Sequence, residues 1–150
     1  MDNASLLNGI KGGIMAGIIK DIPDVIFHYW LKLTKIDFLD YSGAVAFGRL
    51  PHGTHEHVYC FLLEILFSLL LGMLFVFFLK EKVLPFNCFI ILGAIYGAAI
   101  WFMIMSVILV FQISFLMPTD LTTSAIHWLN SMLYGIVLSS TINCLHQDKR

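Results

Sequence analysis

Lys20, Asp24, His28 and Lys32 stand four residues apart, and Asp21 lies beside the first of them. On a helix that spacing draws the side chains into one slowly turning stripe. A second group, His57, Cys60 and Glu64, falls at i, i+3 and i+7, again one helical face. At about 1.5 Å of rise per residue, Glu64 lies about 10 Å along the helix from His57. It sits inside the apolar run that begins at Val58. A carboxylate at that depth is costly unless it is paired or protonated, and so marks a functional site. Its expected partners are Lys20 and His28.

Three chemistries suit these residues. Glu64, Lys20, Asp21, Asp24, His28 and His127 together would make a polar intramembrane site able to hold a cation or pass protons. The run PHGTHEH carries His52, His55 and His57, which with Glu64 offer a zinc-type donor set. That spacing fits no standard motif, and a solvated loop is the ordinary reading. His28 and His127 could serve as axial haem ligands on neighbouring helices, although interfacial histidines are more often polar anchors. Asp21 and Asp24 read equally well as wet residues at a membrane boundary. No GxSxG, HExxH or phosphate-cradling glycine loop is present, so no cofactor is assigned and no catalytic residue is named.

The elements that must position these groups follow from composition. Of 150 residues 59% are hydrophobic and 13% charged, with a net charge of −1. A soluble domain is typically about 45–50% apolar and about 25% charged. The excess points to lipid as solvent, and the near-zero charge without an aromatic-laced basic stripe argues against nucleic acid. The opening MDNASLLNGIKGG lacks a positive n-region, so the first apolar segment is expected to be retained. Cys60, Cys88 and Cys144 form no CxxC and read as small apolar residues in helices or at their ends.

A bilayer core about 30 Å thick takes roughly 20 apolar residues of helix. Residues 58–79, 86–115 and 125–145 meet that requirement. Residues 5–33 read as a further span, a long or kinked helix with Pro23 at the kink and Phe27, Tyr29, Trp30 and Lys32 as its interfacial anchor. The alternative makes 24–33 a separate surface helix. Residues 34–56 form one long loop with a short apolar piece at 44–47. The expected fold is therefore all-α, a single domain over 1–150 forming a four-transmembrane-helix bundle.

Helices in lipid associate by close backbone approach. Each span carries small residues four apart, in the manner of a glycine zipper: Gly9, Gly13 and Gly17; Ser68 and Gly72; Gly93 and Gly97; Ser131, Gly135 and Ser139. Four spans put both termini on one side. The basic residues Lys11, Lys80, Lys82, Lys149 and Arg150 make that side cytoplasmic in a multi-pass cell-membrane protein. The same topology gathers five of the six histidines at the opposite end.

A Gly-rich opening helix, GIKGGIMAGIIKDI, a loop containing AFGR and a final helix containing LYGIVL give the chain its overall pattern. In this it resembles small, uncharacterised four-span bacterial integral membrane proteins. The resemblance implies the span number and no activity. The leading functional expectation is a non-catalytic membrane module, an oligomeric permeation protein or an accessory subunit. Its partners would be the bilayer and either further copies or another membrane subunit. A haem- or quinone-binding anchor of an electron-transfer complex comes second, and a metal-dependent membrane enzyme third.

Overall fold

Long runs of Leu, Ile, Phe and Val broken only by small residues favour helix once the backbone must satisfy its own hydrogen bonds. The computed structural model describes residues 3–79, 85–117 and 120–147, and among them every regular element is helical. The elements are α1 (Asn3–Val25), α2 (Phe38–Phe47), α3 (Gly53–Leu79), α4 (Phe86–Val110) and α5 (Leu121–Gln147). A π-helical turn covers Ile26–Trp30 and a 3₁₀ turn Ser114–Leu116. Two helices, Gly53–Leu79 and Asn87–Val110, are long and apolar enough to cross a membrane. Lys80, Lys82, Pro118, Lys149 and Arg150, which entered the reading of topology and helix boundaries, lie outside the described residues.

Several boundaries differ from expectation for identifiable reasons. The α1 helix ends at Val25 and then widens into the π-helical turn, closed by Leu31 N–H donating to Ile26 O at 2.9 Å. Pro23, which has no N–H to give, lies just before this widening. The turn continues α1, in place of a separate surface helix. The expected loop at 34–56 contains α2. Its N-terminus is closed reciprocally: Asp37 Oδ1 accepts from Asp40 N–H (2.9 Å) and Asp40 Oδ2 from Asp37 N–H (3.0 Å). Gly48, at φ 66°, ends α2 in the left-handed region that a side chain would resist. Because α3 starts at Gly53, His55, Glu56 and His57 stand on a helix and not on a flexible loop. The expected 86–115 span stops at Val110, where Gln112 (φ 50°) reverses the chain.

Packing follows the small residues. The α1 helix lies on both α3 and α5, and α4 lies on α5. A Cβ at Gly13 would strike the Ser68 carbonyl oxygen, and one at Gly72 that of Gly9. On the other side a Cβ at Gly97 would strike Ser131 O, and one at Gly135 would strike Gly93 O. Gly17 meets Ser68 Oγ at 2.8 Å from its ideal Cβ position. The core between these pairs holds Ala16, Leu71, Phe75, Ile100, Tyr134 and Leu138. A smaller cluster, Ile36, Ile108 and Leu116, closes the end where α2 lies. There α2 packs on α3 and on the 3₁₀ turn.

Gly135→Leu should destabilise the protein in detergent by the upper part of the about 1–3 kcal/mol typical of overpacking, or more. The obstacle is backbone, which cannot rotate away. Gly48→Leu, with open space around its Cβ, should act only through its positive φ. Equal melting temperatures for Gly135→Leu and the parent chain would refute the contact.

Candidate functional site

Near its C-terminal end α1 presents Lys20, Asp21 and Asp24, and Lys20 and Asp24 are buried. Glu64, three turns into α3, is 5% exposed. The Lys20 ammonium contacts Glu64 Oε1 and also Asp21 Oδ1 at 2.6 Å. Its remaining side faces the Phe38 ring, with the centroid 3.9 Å away. One ammonium thus answers two carboxylates and a ring face, and ties α1 to α3 and to the first residue of α2. The oxygens Glu64 Oε2 and Asp21 Oδ2 are buried without a hydrogen-bond partner.

Asp24, one turn further along α1, turns to different neighbours. Its Oδ2 accepts the Phe38 N–H at 2.9 Å and its Oδ1 an Asn130 amide hydrogen at 3.4 Å. It therefore supplies the first N–H of α2 with an acceptor and joins α1 to α5. His127 Nε2 lies 3.8 Å from the same carboxylate. The His127 ring is fully buried. Its Nε2 lies 3.0 Å from the Ile36 carbonyl oxygen, which can only accept, so Nε2 carries the hydrogen. In the neutral ring Nδ1 is then the acceptor for the Tyr41 hydroxyl at 3.0 Å. The Phe38 ring packs 4.8 Å from the imidazole.

The expected polar residues therefore divide. Lys20, Asp21 and Glu64 form one group. Asp24 and His127 form a second, with Asn130 and Tyr41. His28 belongs to neither: it is half-buried and hydrogen-bonds Thr34 Oγ1 at 3.3 Å, so the expected His28–Glu64 partnership is not formed. Both ring nitrogens of His127 are engaged by the protein, an arrangement unlike that of an axial haem ligand, which needs one of them free.

His52, His55 and His57 are likewise not gathered. His52 Nδ1 lies 2.8 Å from Leu50 O, and His57 Nδ1 2.8 Å from Gly53 O. Among the described residues no three of His, Cys, Asp and Glu group as metal ligands do. Glu56 instead receives a bidentate pair from Arg49, at 2.7 and 2.8 Å. Cys60 is buried, and Cys88 and Cys144 are exposed free thiols.

Residues outside the expected set complete this end. Asp37 holds the Tyr29 hydroxyl at 3.0 Å as well as capping α2. Burial, then the charge of Asp37, pushes the Asp40 carboxyl above its usual value. Asp120 caps α5 through Thr123 N–H (3.0 Å), and that backbone hydrogen bond holds its carboxyl below the usual carboxylate range. The Asp-x-x-Asp spacing at 37–40 was a signal in the sequence for the α2 cap.

Between α3 and α4, with α2 at one end, runs a cleft of about 630 Å³. Leu63, Phe67, Ile100, Ile104 and Val107 line it, and Glu64 and Lys20 stand at its inner side. Chemically the arrangement is an apolar slot ending on a buried ion pair.

Lys20 keeps a second acid in Asp21, whereas Lys20 is the one cation that Glu64 contacts among the described residues. The two single substitutions should therefore differ. Lys20→Met should cost about 3–5 kcal/mol by orphaning a buried carboxylate, and adding Glu64→Met should recover most of it. Glu64→Gln keeps an oxygen for Lys20 and should be mild. Thermal melts of the four proteins in detergent measure this. A double variant no more stable than Lys20→Met would show that the pair is not the source of the loss.

Comparison of the chain with protein-family models, with curated proteins and with solved structures finds no match.

Proposed function

We propose that this chain is a non-catalytic integral membrane protein of four spans, α1, α3, α4 and α5, with its termini on the cytoplasmic side, and that it works by binding within the bilayer. The observation that carries the reading is an inverted polarity. Buried positions on α1 and α5 include Ser5, Asn8, Lys20, Asp24, Thr123, His127, Asn130, Ser131 and Ser139. Exposed positions include Phe78 at 68%, Leu109 at 68% and Val110 at 75%. Soluble monomers rarely expose contiguous apolar patches beyond a few hundred Å². Only 39% and 22% of the two most apolar stretches are buried, which is unlike the core helix of a soluble protein.

The same inversion accounts for the weaker apolar character of α1 and α5. Their polar residues face inward, where the other helices satisfy them, and Met15, Ile18, Ile22 and Leu129 face out. Interhelical hydrogen bonds such as Tyr134 Oη to Ser68 O (2.7 Å) and Tyr96 Oη to Leu71 O (2.8 Å) suit a lipid-embedded interior. The glycine contacts bring α1 against α3 and α4 against α5 with no room for an axial path between them. Of the two forms a membrane module could take, an accessory binding subunit is therefore favoured over permeation through one copy.

In a chain with Cys60 and Cys88 changed to Ser, Cys144 should react with a membrane-impermeant maleimide only from the cytoplasmic face. With Cys144 also changed to Ser, Thr54→Cys should react only from the opposite face. Labelling of both from one side would overturn the four-span reading.

A further inference from the structure

Where α1 meets α3 the charges do not balance. Lys20 contacts both Asp21 and Glu64, so one ammonium faces two carboxyl groups. Each acid gives one oxygen to the lysine. The other two, Asp21 Oδ2 and Glu64 Oε2, are buried without a hydrogen-bond partner. Glu64 as a whole is 5% exposed. The two acid side chains are also in hydrogen-bond contact with each other. An ionised carboxyl is an acceptor only, so a hydrogen bond between two of them exists only when one carries a hydrogen. Like charges at such close range disfavour the doubly ionised form. An unmatched buried acceptor is destabilising, the more so when it is charged.

We propose that Asp21 and Glu64 bind one proton between them, with Lys20 as counter-ion. One proton from solvent forms an O–H bond on either carboxyl and is donated to the facing carboxylate. A single hydrogen then answers both unmatched oxygens, and it cancels the one negative charge by which the two acids exceed the lysine. The groups around the site direct the proton here. Asp24 on α1 already receives a hydrogen at each oxygen, from the Phe38 N–H and from Asn130, which suits its ionised form. His127 on α5 has both ring nitrogens engaged, by Ile36 O and by the Tyr41 hydroxyl. From α2, Phe38 offers Lys20 a ring face, while Asp37 beside it is taken by Tyr29 and by the α2 cap. Cys60, one turn before Glu64 on α3, is a buried thiol. The α4 segment Phe86–Val110 contains no Asp, Glu, Lys, Arg or His. A metal ion suits the site less well than a proton, because the ammonium already contacts both acids and among the described residues no three of His, Cys, Asp and Glu group as metal ligands do. The balance holds whatever surrounds the helices, because Lys20 and Glu64 are buried between them.

Infrared absorption of the full chain at neutral pH, in a detergent without carbonyl groups, tests this. A protonated carboxyl has a carbonyl stretch that a carboxylate lacks. Subtracting the spectrum of Glu64→Gln from that of the parent chain should leave one such band, and so should subtracting that of Asp21→Asn. Either substitution leaves a single carboxylate on Lys20, with no second acid to share a proton. The double variant should lose no more than either single one, and Asp24→Asn should leave the band in place. In the parent chain itself, glutamate carrying a heavy isotope at its carboxyl carbon should shift part of the band, a measurement that no misfolded variant can spoil. Loss of the band in one single variant and its retention in the other would overturn the sharing. So would its loss in Asp24→Asn, the absence of any protonated-carboxyl band in the parent, or a parent band that labelled glutamate leaves unmoved. The spectra are read in detergent, so a failed four-span topology is a separate outcome.

Discussion

One ammonium group organises the polar end of this molecule. Lys20 is held by Asp21 on its own helix and by Glu64 across the interface, under the ring of Phe38. Buried ions are expensive to desolvate, and a pair with incomplete hydrogen bonding need be no more stable than packed apolar residues. Its effect is then on register more than on net stability. Sliding α1 along α3 by one turn would separate the charges and move Gly13 off Ser68 at the same time. The ion pair and the glycine contact specify the same alignment, which is the consistency expected of a sequence with one native arrangement.

The second polar group extends that alignment to the rest of the chain. Asp24 takes the Phe38 N–H and an Asn130 hydrogen, and His127 spans Tyr41 and the Ile36 carbonyl. These bonds seat the connection between α1 and α3 on the start of α5. Without them the Phe38 N–H and the Ile36 carbonyl at the start of α2 would lose their side-chain partners. A histidine with both nitrogens used in this way acts as a cross-brace.

Part of this was legible from residue types alone. An acid in an apolar run and a lysine at the depth where α1 meets α3 can hardly avoid each other, so Glu64 and Lys20 stood out together. The spacing of Gly9, Gly13 and Gly17 likewise located the face of α1 that meets α3. The α2 helix was missed although Asp37 and Asp40 stand at cap spacing, because ten residues with few strong helix formers read as loop. What stabilises them is a reciprocal Asp37–Asp40 cap and an acceptor from Asp24, fourteen residues away from the N–H it receives. His28 was misassigned because i+4 spacing assumes an α-helix. After Pro23 the backbone turns π-helical, so His28 leaves the stripe and reaches Thr34.

The cleft escaped the sequence for a different reason, which is that it arises from what the small residues do elsewhere. On α3, Ser68 and Gly72 are taken by Gly9, Gly13 and Gly17 of α1. On α4, Gly93 and Gly97 are taken by Ser131, Gly135 and Ser139 of α5. Each stripe can bring its helix close to only one neighbour. The α3 and α4 helices are left to meet through large side chains, as where Phe75 packs on Phe89 and Tyr96, and Tyr96 reaches the Leu71 carbonyl. Those bulky contacts lie toward the far end of the pair. Towards α2 the space opens beside Glu64. Its shape is set by a geometry that two glycine interfaces impose from outside.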